Sequence, residues 1–190
     1  MNYYVVKYSG PFGFIKPWTA VRDSKTFSQQ FLTASIIEGI EKKLFPETLH
    51  EVGIQKINRY KLIYSSVSMQ QEVTQTRGWE YKKQQGIMVR NRSILDRGVL
   101  LNPVLLIAFN SQKDATNASM QHICLCRNED ILLPNFNILE MTEEEFDVLS
   151  GFELRFGSLE DSFLTGFNRF QNAEPMYGEL EVTGNQISNS

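Results

Sequence analysis

VLLNPVLLIAF, residues 99–109, is an almost continuous apolar stretch near the middle of the chain. It is too short for a comfortable helix, and consecutive apolar residues over this length are typical of a buried strand. Asn102 and Pro103 interrupt the stretch, and proline cannot donate a backbone hydrogen bond within a sheet. The stretch therefore predicts a buried strand with an irregularity near its start.

Two strand regions are predicted before this stretch. Residues 2–8 are rich in Tyr and Val and end at Ser9-Gly10-Pro11, where glycine and proline mark a break. Residues 52–68 carry apolar side chains interleaved with Lys and Arg, and they predict a second, irregular strand region.

Residues 33–46 predict the clearest helix of the chain. Its apolar positions recur at helical spacing, Pro46 lies beyond its end, and Ser35 with Glu38 has the spacing of a capping box. Gly39 lies in its middle, where glycine costs about 1 kcal/mol relative to alanine unless the backbone must approach another group closely.

Four features are predicted after residue 109. They are a polar loop at 110–119, a short strand at 121–126, a helix that Thr142 and Glu145 cap and Gly151 stops, and a core stripe of Phe163, Phe167 and Phe170 at helical spacing. The end of the chain, residues 184–190, has the composition of a disordered tail.

The composition of the 190 residues, 42% hydrophobic and 22% charged, is that of one globular domain. No apolar run of roughly 18 residues is present and the first residues do not resemble a leader, so we expect a cytoplasmic protein without membrane contact. Cys124 and Cys126 lack a second cysteine pair for zinc and are interpreted as reduced core residues, so no metal or cofactor is predicted.

Charge is divided unevenly along the chain. Residues 1–97 contain fifteen Lys/Arg and eight Asp/Glu, whereas residues 98–190 contain four and fourteen. Such a division indicates one surface that meets a polyanion and another that avoids it or contacts a basic partner.

The basic half contains QTRGWEYKKQQGIMVRNRSILDR, residues 75–97, in which cations surround two aromatic residues. The cations are Arg77, Lys82, Lys83, Arg90, Arg92 and Arg97, and the aromatic residues are Trp79 and Tyr81. Phosphate-neutralising charges beside flat stacking surfaces favour single-stranded nucleic acid. A polar hairpin with solvated charges explains the composition equally well.

The order of predicted elements is strand, helix, strand, inserted hairpin, strand, helix and strand. This is the order of an α+β, ferredoxin-like split βαβ arrangement, the scaffold that RRM domains also use.

Three segments resemble CRISPR-associated family-five proteins, the RAMP-type subunits of Cascade complexes. Residues 10–40, GPFGFIKPWTAVRDSKTFSQQFLTASIIEGI, are similar to the family's opening, in which a glycine-containing loop with a basic-proline pair leads into a glycine-containing helix. Residues 99–109 resemble the family's strand with Asn-Pro after an apolar pair, and residues 156–160 are a weaker match to a later segment. The matching helix positions are Thr33, Ile36 and Gly39.

The resemblance implies a single RRM-like RAMP domain over residues 1–183, with a β-hairpin thumb at about 70–98. It implies a subunit for antiviral defence that holds the 5′ handle of the CRISPR RNA, caps a filament of backbone subunits and adjoins the large subunit near target DNA and its PAM. Transposition proteins are further partners if the system is transposon-associated. The RNA-binding residues would be Lys16, Trp18, Arg22, Arg77, Trp79, Tyr81, Lys82, Lys83, Arg90, Arg92 and Arg97. Core packing is the alternative role of Trp18.

Two other functions stay open. An endoribonuclease of the same family needs a base, a proton donor and a cation at the phosphorane, and its nucleolytic members place a Lys-His pair after the thumb. No such pair is present, and His50 and His122 are interpreted as structural, so no catalytic residue is predicted. The third function is a protein-interaction module whose basic hairpin docks an acidic partner.

Overall fold

The computed structural model describes residues 2–19, 24–75, 77–157 and 160–184, which fold as an α+β, sheet-rich protein. The helices are α1 Ala34–Leu44, α2 Gln112–Ala118 and α3 Glu143–Asp147, and a 3-10 turn at Pro46–Thr48 follows α1. The strands are β1 Asn2–Ser9, β2 Phe12–Gly13, β3 Lys25–Phe27, β4 Ile57–Ile63, β5 Ser66–Gln75, β6 Glu80–Lys82, β7 Ile87–Val89, β8 Arg92–Leu101, β9 Val104–Phe109, β10 Ile123–Cys124, β11 Ile131–Pro134, β12 Leu139–Thr142, β13 Gly151–Phe156, β14 Phe163–Asn168 and β15 Glu174–Thr183.

The main sheet has the order β10-β11-β1-β9-β4-β13-β15-β14, and β12 also pairs with β1. The apolar stretch 99–109 supplies its central strand, because β9 lies between β1 and β4. The predicted irregularity is a change of sheet. At Asn102 the backbone takes a φ of 47°, which asparagine tolerates better than most residues, and the chain passes from β8 into β9.

Strand β1 shows how the main sheet separates two layers of core. Its residues alternate between the two faces, as in any strand. Val6 and Tyr8 belong to the larger cluster, which also contains the apolar side chains of α1. Tyr3 and Val5 belong to a smaller cluster on Phe146 of α3.

Helix α1 is confirmed, but the capping box predicted from Ser35 and Glu38 is wrong. The helix begins at Ala34, its N-cap is Thr33, and no side chain accepts a capping hydrogen bond. Glu38 is buried and accepts a hydrogen bond from the backbone N–H of Gly53 at 3.2 Å. The carboxylate is therefore used to hold the loop before β4, a demand that local spacing does not reveal.

Two other predictions are corrected. Residues 112–118 form α2 instead of a polar loop, since Ser111 accepts a capping hydrogen bond from Asp114 and two alanines of the helix are buried. The three phenylalanines do not form a buried helical stripe: Phe163 and Phe167 lie on strand β14, and all three are exposed. Phe170 lies beyond the end of β14, and the register of β14 with β15 shifts between Leu164 and Gly166, so the equal spacing of the phenylalanines does not correspond to a helix.

The C-terminal half also contains confirmed features. Thr142 and Glu145 form the predicted capping box of α3, and Gly151 begins β13 after that short helix has ended.

Cys124 is half-buried and Cys126 is exposed, so the interpretation of both as core residues is wrong. The predicted tail lies outside the described residues except for Gly184.

Strands β5 and β8 pair antiparallel over ten positions, from Ser66 opposite Leu101 to Gln75 opposite Arg92. Between Gln75 and Arg92 the chain forms a second antiparallel pair, β6 and β7, closed by a turn in which Gly86 has a φ of 64°. We call these four strands the ribbon.

None of the described helices has the length and apolar character needed to cross a membrane.

Candidate nucleic-acid interface

The outer part of the ribbon contains an open cleft of about 520 Å³. Trp79 is 58% exposed, and the guanidinium of Arg90 lies 4.8 Å from the centre of its ring. We call this site the ribbon cleft; its lining includes Gln75, Trp79, Lys82, Met88, Val89, Arg90, Asn91 and Arg92. It presents an aromatic surface and three cations at one place.

Strand pairing brings these side chains together. The register of β5 and β8 sets Arg92 opposite Gln75, and that of β6 and β7 sets Lys82 opposite Ile87. Asn91 donates a hydrogen bond to the carboxylate of Glu80, which ties the connection between β7 and β8 to β6. Residues that are far apart along the segment therefore line a single cleft.

Most cations of the segment 75–97 are available to a ligand. Among the described residues, no carboxylate forms an ion pair with Arg77, Lys82, Lys83, Arg90 or Arg92. Arg77, Tyr81 and Lys83 are exposed on the ribbon but do not line the cleft. The ribbon thus has a compact cationic cleft with further charges around it.

Arg97 differs from the other cations of the segment. It lies toward the base of the ribbon, where it pairs with Glu72 at 3.3 Å and donates to Thr26 Oγ1 at 3.0 Å. Its guanidinium also lies 5.8 Å from the ring of Phe14. These contacts join β8 to β5 and β3, which is a structural task.

Lys16 and Trp18 lie in a second place, away from the ribbon cleft. They line a groove of about 210 Å³ together with Phe167, and we call it the core groove. Trp18 is 45% exposed and meets the ring of Phe167 edge-to-face, with 5.5 Å between centroids. Trp18 therefore packs at the surface and keeps nearly half of its area open. Arg22 lies outside the described residues.

The segment that carries Lys16 is anchored by buried polar contacts. The N–H of Phe14 donates to the buried carboxylate of Asp130 at 3.2 Å. The N–H of Ile15 donates to Ser28 Oγ at 2.9 Å, and its carbonyl accepts from Gln29 at 2.8 Å. Lys16 follows directly, so a fixed backbone presents it.

The sequence patterns did not identify two residues of this region as site residues. Phe167 was assigned to the core, and Arg169, which follows β14, attracted no prediction. Thr165 is buried although Phe163 and Phe167 on either side of it are exposed, because the pairing of β14 with β15 shifts register between Leu164 and Gly166. No alternating pattern in the sequence therefore indicates that Phe167 is exposed.

Neither histidine lies at these sites. His50 and His122 are both exposed, and neither lines the ribbon cleft or the core groove. Within the described ranges, no group of three or more His, Cys, Asp or Glu side chains is arranged to hold a metal ion. Both sites combine cations with aromatic rings.

No protein-family profile matches the chain, and no curated protein matches it by sequence. Among solved structures, a chain of a "CRISPR RNA-guided surveillance complex" is similar in fold, with a TM-score of 0.51. The match covers 95% of this chain and 90% of that chain at 8% sequence identity. At this identity the likeness concerns the fold.

Proposed function

We propose that the protein is a non-catalytic RNA-binding subunit of a type I Cascade surveillance complex that grips the 5′ handle of the CRISPR RNA. The observation that carries this proposal is the ribbon cleft, where Arg90 covers an exposed Trp79 beside Arg92 and Lys82. Cations neutralise phosphates and aromatic rings stack on unpaired bases, so the cleft has both parts that single-stranded RNA requires. The fold likeness to a chain of a CRISPR RNA-guided surveillance complex is a second support.

The proposed fold is a ferredoxin-like RAMP domain. Its support is the strand order β12-β1-β9-β4, with α1 between β1 and β4 along the chain and α2 between β9 and β12. A split βαβ core arranged twice has this order. The ribbon is inserted between β4 and β9, which is the place of the proposed thumb.

The proposed mechanism is recognition without chemistry. Arg90, Arg92 and Lys82 neutralise handle phosphates, while a base stacks on Trp79. Trp18 and Lys16 in the core groove contact another part of the same strand. In this cytoplasmic complex the partners are the backbone subunits and the large subunit near target DNA, with transposition proteins added in a transposon-associated system.

Replacing both Arg90 and Arg92 with alanine should lower the slope of log affinity against log salt. Each lost phosphate contact on a single strand lowers the slope by about 0.7, so we expect a drop of about 1.4. The measurement is fluorescence anisotropy of a labelled CRISPR repeat RNA at several salt concentrations.

Two variants sharpen this measurement. Lys113→Ala removes an exposed cation of α2 outside both sites and should leave the slope unchanged. Trp79→Ala should weaken binding by about 1–3 kcal/mol at every salt concentration without changing the slope, because it removes stacking but no charge. An unchanged slope in the double arginine variant would remove the ribbon cleft from the RNA path.

The proposed absence of catalysis is tested separately. The purified protein should leave a cognate CRISPR repeat RNA intact, since neither histidine lies at either site. The measurement is gel electrophoresis of end-labelled RNA. Cleavage that a 2′-deoxy substitution at the cut abolishes would instead identify a metal-independent endoribonuclease.

One observation favours a second candidate, a protein-interaction module. One side of the ribbon exposes the apolar side chains of Val67, Met69, Val73 and Ile94, and the exposed Phe27 of β3 lies opposite Gly98 of β8. An apolar strip of this kind suits a protein partner better than a phosphate backbone. Purification of the protein free of RNA, with no affinity for repeat RNA, would favour this candidate.

A further inference from the structure

A third cleft lies between helix α1 and the turn after β14. Its volume is about 300 Å³. The cleft adjoins the core groove, and Ile36 lines both. Lys43 and Arg169 line it together with Cys124. We call it the Lys43–Arg169 cleft.

Gly39 makes room for the guanidinium in this cleft. A Cβ atom on Gly39 would lie 2.3 Å from Arg169 Nη2, so a larger residue would displace that group. Lys43 lies four residues later on α1 and therefore on the same face of the helix. The guanidinium is also held over the ring of Phe170, at 4.7 Å from its centre. The helix face and the turn thus direct two cations into one concavity.

Neither cation is neutralised within the described residues. Lys42, the neighbour of Lys43, pairs with Glu38 at 3.0 Å, whereas no described carboxylate pairs with Lys43 or Arg169. The polar contact of Lys43 is its Nζ at 3.9 Å from Cys124 Sγ. Two unpaired cations, one a guanidinium, that share a cleft are complementary to a phosphate group.

We propose that the Lys43–Arg169 cleft binds a phosphate group. The cleft continues into the core groove, because Ile36 and Cys126 line both. A strand that stacks on Trp18 would therefore bring its next phosphates toward Arg169. The phosphate belongs either to this RNA backbone or to a free phosphate compound. The first source rests on the proposed function, and the second does not.

Cys124 supplies a reporter inside the cleft. Burial around the Cys126 thiol raises its pKa to about 12 although the residue as a whole is exposed, so Cys124 is the thiol to follow. Its alkylation by iodoacetamide is measured by mass spectrometry without ligand, with inorganic phosphate and with a single-stranded repeat RNA. Bound phosphate should slow the alkylation of Cys124.

The variants Lys43→Ala and Arg169→Ala should each raise the phosphate concentration for half-protection about tenfold or more, as expected for a lost hydrogen bond to a charged group. Gly39→Ala should do the same through displacement of Arg169, while Tm stays equal or rises because alanine favours the helix. Lys113→Ala is the control and should leave protection unchanged.

Each outcome decides between the alternatives. If inorganic phosphate protects Cys124 and the variants weaken that protection, the site is supported. If RNA does not protect Cys124 in the same experiment, the site is assigned to free phosphate compounds. Protection by RNA alone that the variants weaken assigns the site to the RNA backbone. No protection by either ligand, or protection that persists in the Lys43→Ala/Arg169→Ala double variant, overturns the proposal. Arg90→Ala/Arg92→Ala should keep phosphate protection, so a failure of the ribbon cleft is distinguishable from a failure of this site.

Discussion

Replacing Glu153 with glutamine is expected to lower the free energy of unfolding by about 3–5 kcal/mol. Glu153 and Arg59 are both buried, and the guanidinium donates to the carboxylate from Nε at 2.9 Å and from Nη2 at 2.7 Å. The substitution keeps the shape but removes the negative charge, so among the described residues Arg59 retains an ion pair with Asp147 alone. Urea denaturation of the two proteins measures the difference.

A neighbouring ion pair at the surface is the control for this prediction. Glu181 is partly exposed and pairs with Arg155 at 3.1 Å. Glu181→Gln should lower the free energy of unfolding by less than about 1 kcal/mol, because both side chains are partly exposed and water weakens the pair. Removing both buried charges in Arg59→Met/Glu153→Leu should destabilise less than Glu153→Gln does. Equal losses in Glu153→Gln and Glu181→Gln would contradict the role given to burial.

Replacing Tyr60 with phenylalanine should lower the free energy of unfolding by about 2–4 kcal/mol. The buried hydroxyl donates to the Leu32 carbonyl at 2.7 Å and accepts from the N–H groups of Leu32 and Leu154 at 2.9 and 3.0 Å. Burial raises the pKa of Tyr60, so this hydroxyl stays neutral and able to donate. Without it, three buried backbone groups lose a partner at once.

Tyr8→Phe is the matched control for Tyr60→Phe. Tyr8 is equally buried, but its hydroxyl makes one hydrogen bond, to the carbonyl of Ala118 at 2.7 Å. We expect the free energy of unfolding to fall by about 1 kcal/mol, which is the usual net contribution of one hydrogen bond. Thermal and urea unfolding of both variants give the comparison, and losses of the same size would show that the number of backbone partners does not matter.

Tyr60 also connects stability to the proposed phosphate site. Leu32 directly precedes the N-cap of α1, so the Tyr60 hydroxyl helps to set the position of the helix that carries Gly39 and Lys43. A variant at Tyr60 should therefore weaken phosphate protection of Cys124 together with stability. Gly39→Ala, in contrast, should separate the two properties.

Some residues of the candidate sites can be identified from the sequence pattern, and others cannot. The presence of several cations around Trp79 is a property of composition, but strand pairing selects Lys82, Arg90 and Arg92 as the cations that line the ribbon cleft. Arg97 belongs to the same cluster in sequence, yet its position in β8 places it against Glu72 and Thr26. Its different surroundings depend on a strand, β3, that is some seventy residues away along the chain.

Local features of this protein follow from short stretches of its sequence. The burial of the apolar stretch at 99–109, the capping box of Thr142 and Glu145, and the basic and aromatic character of the segment 75–97 each follow from residues within a few positions of one another. The same capping-box spacing at Ser35 and Glu38 fails because the tertiary structure uses Glu38 elsewhere. Three other arrangements depend on contacts between distant segments: Glu38 holds a loop, Phe167 lies exposed beside Trp18, and Arg169 reaches Gly39. These arrangements join segments separated by up to about 150 residues, and their geometry arises from sheet order and register, which a local pattern does not contain.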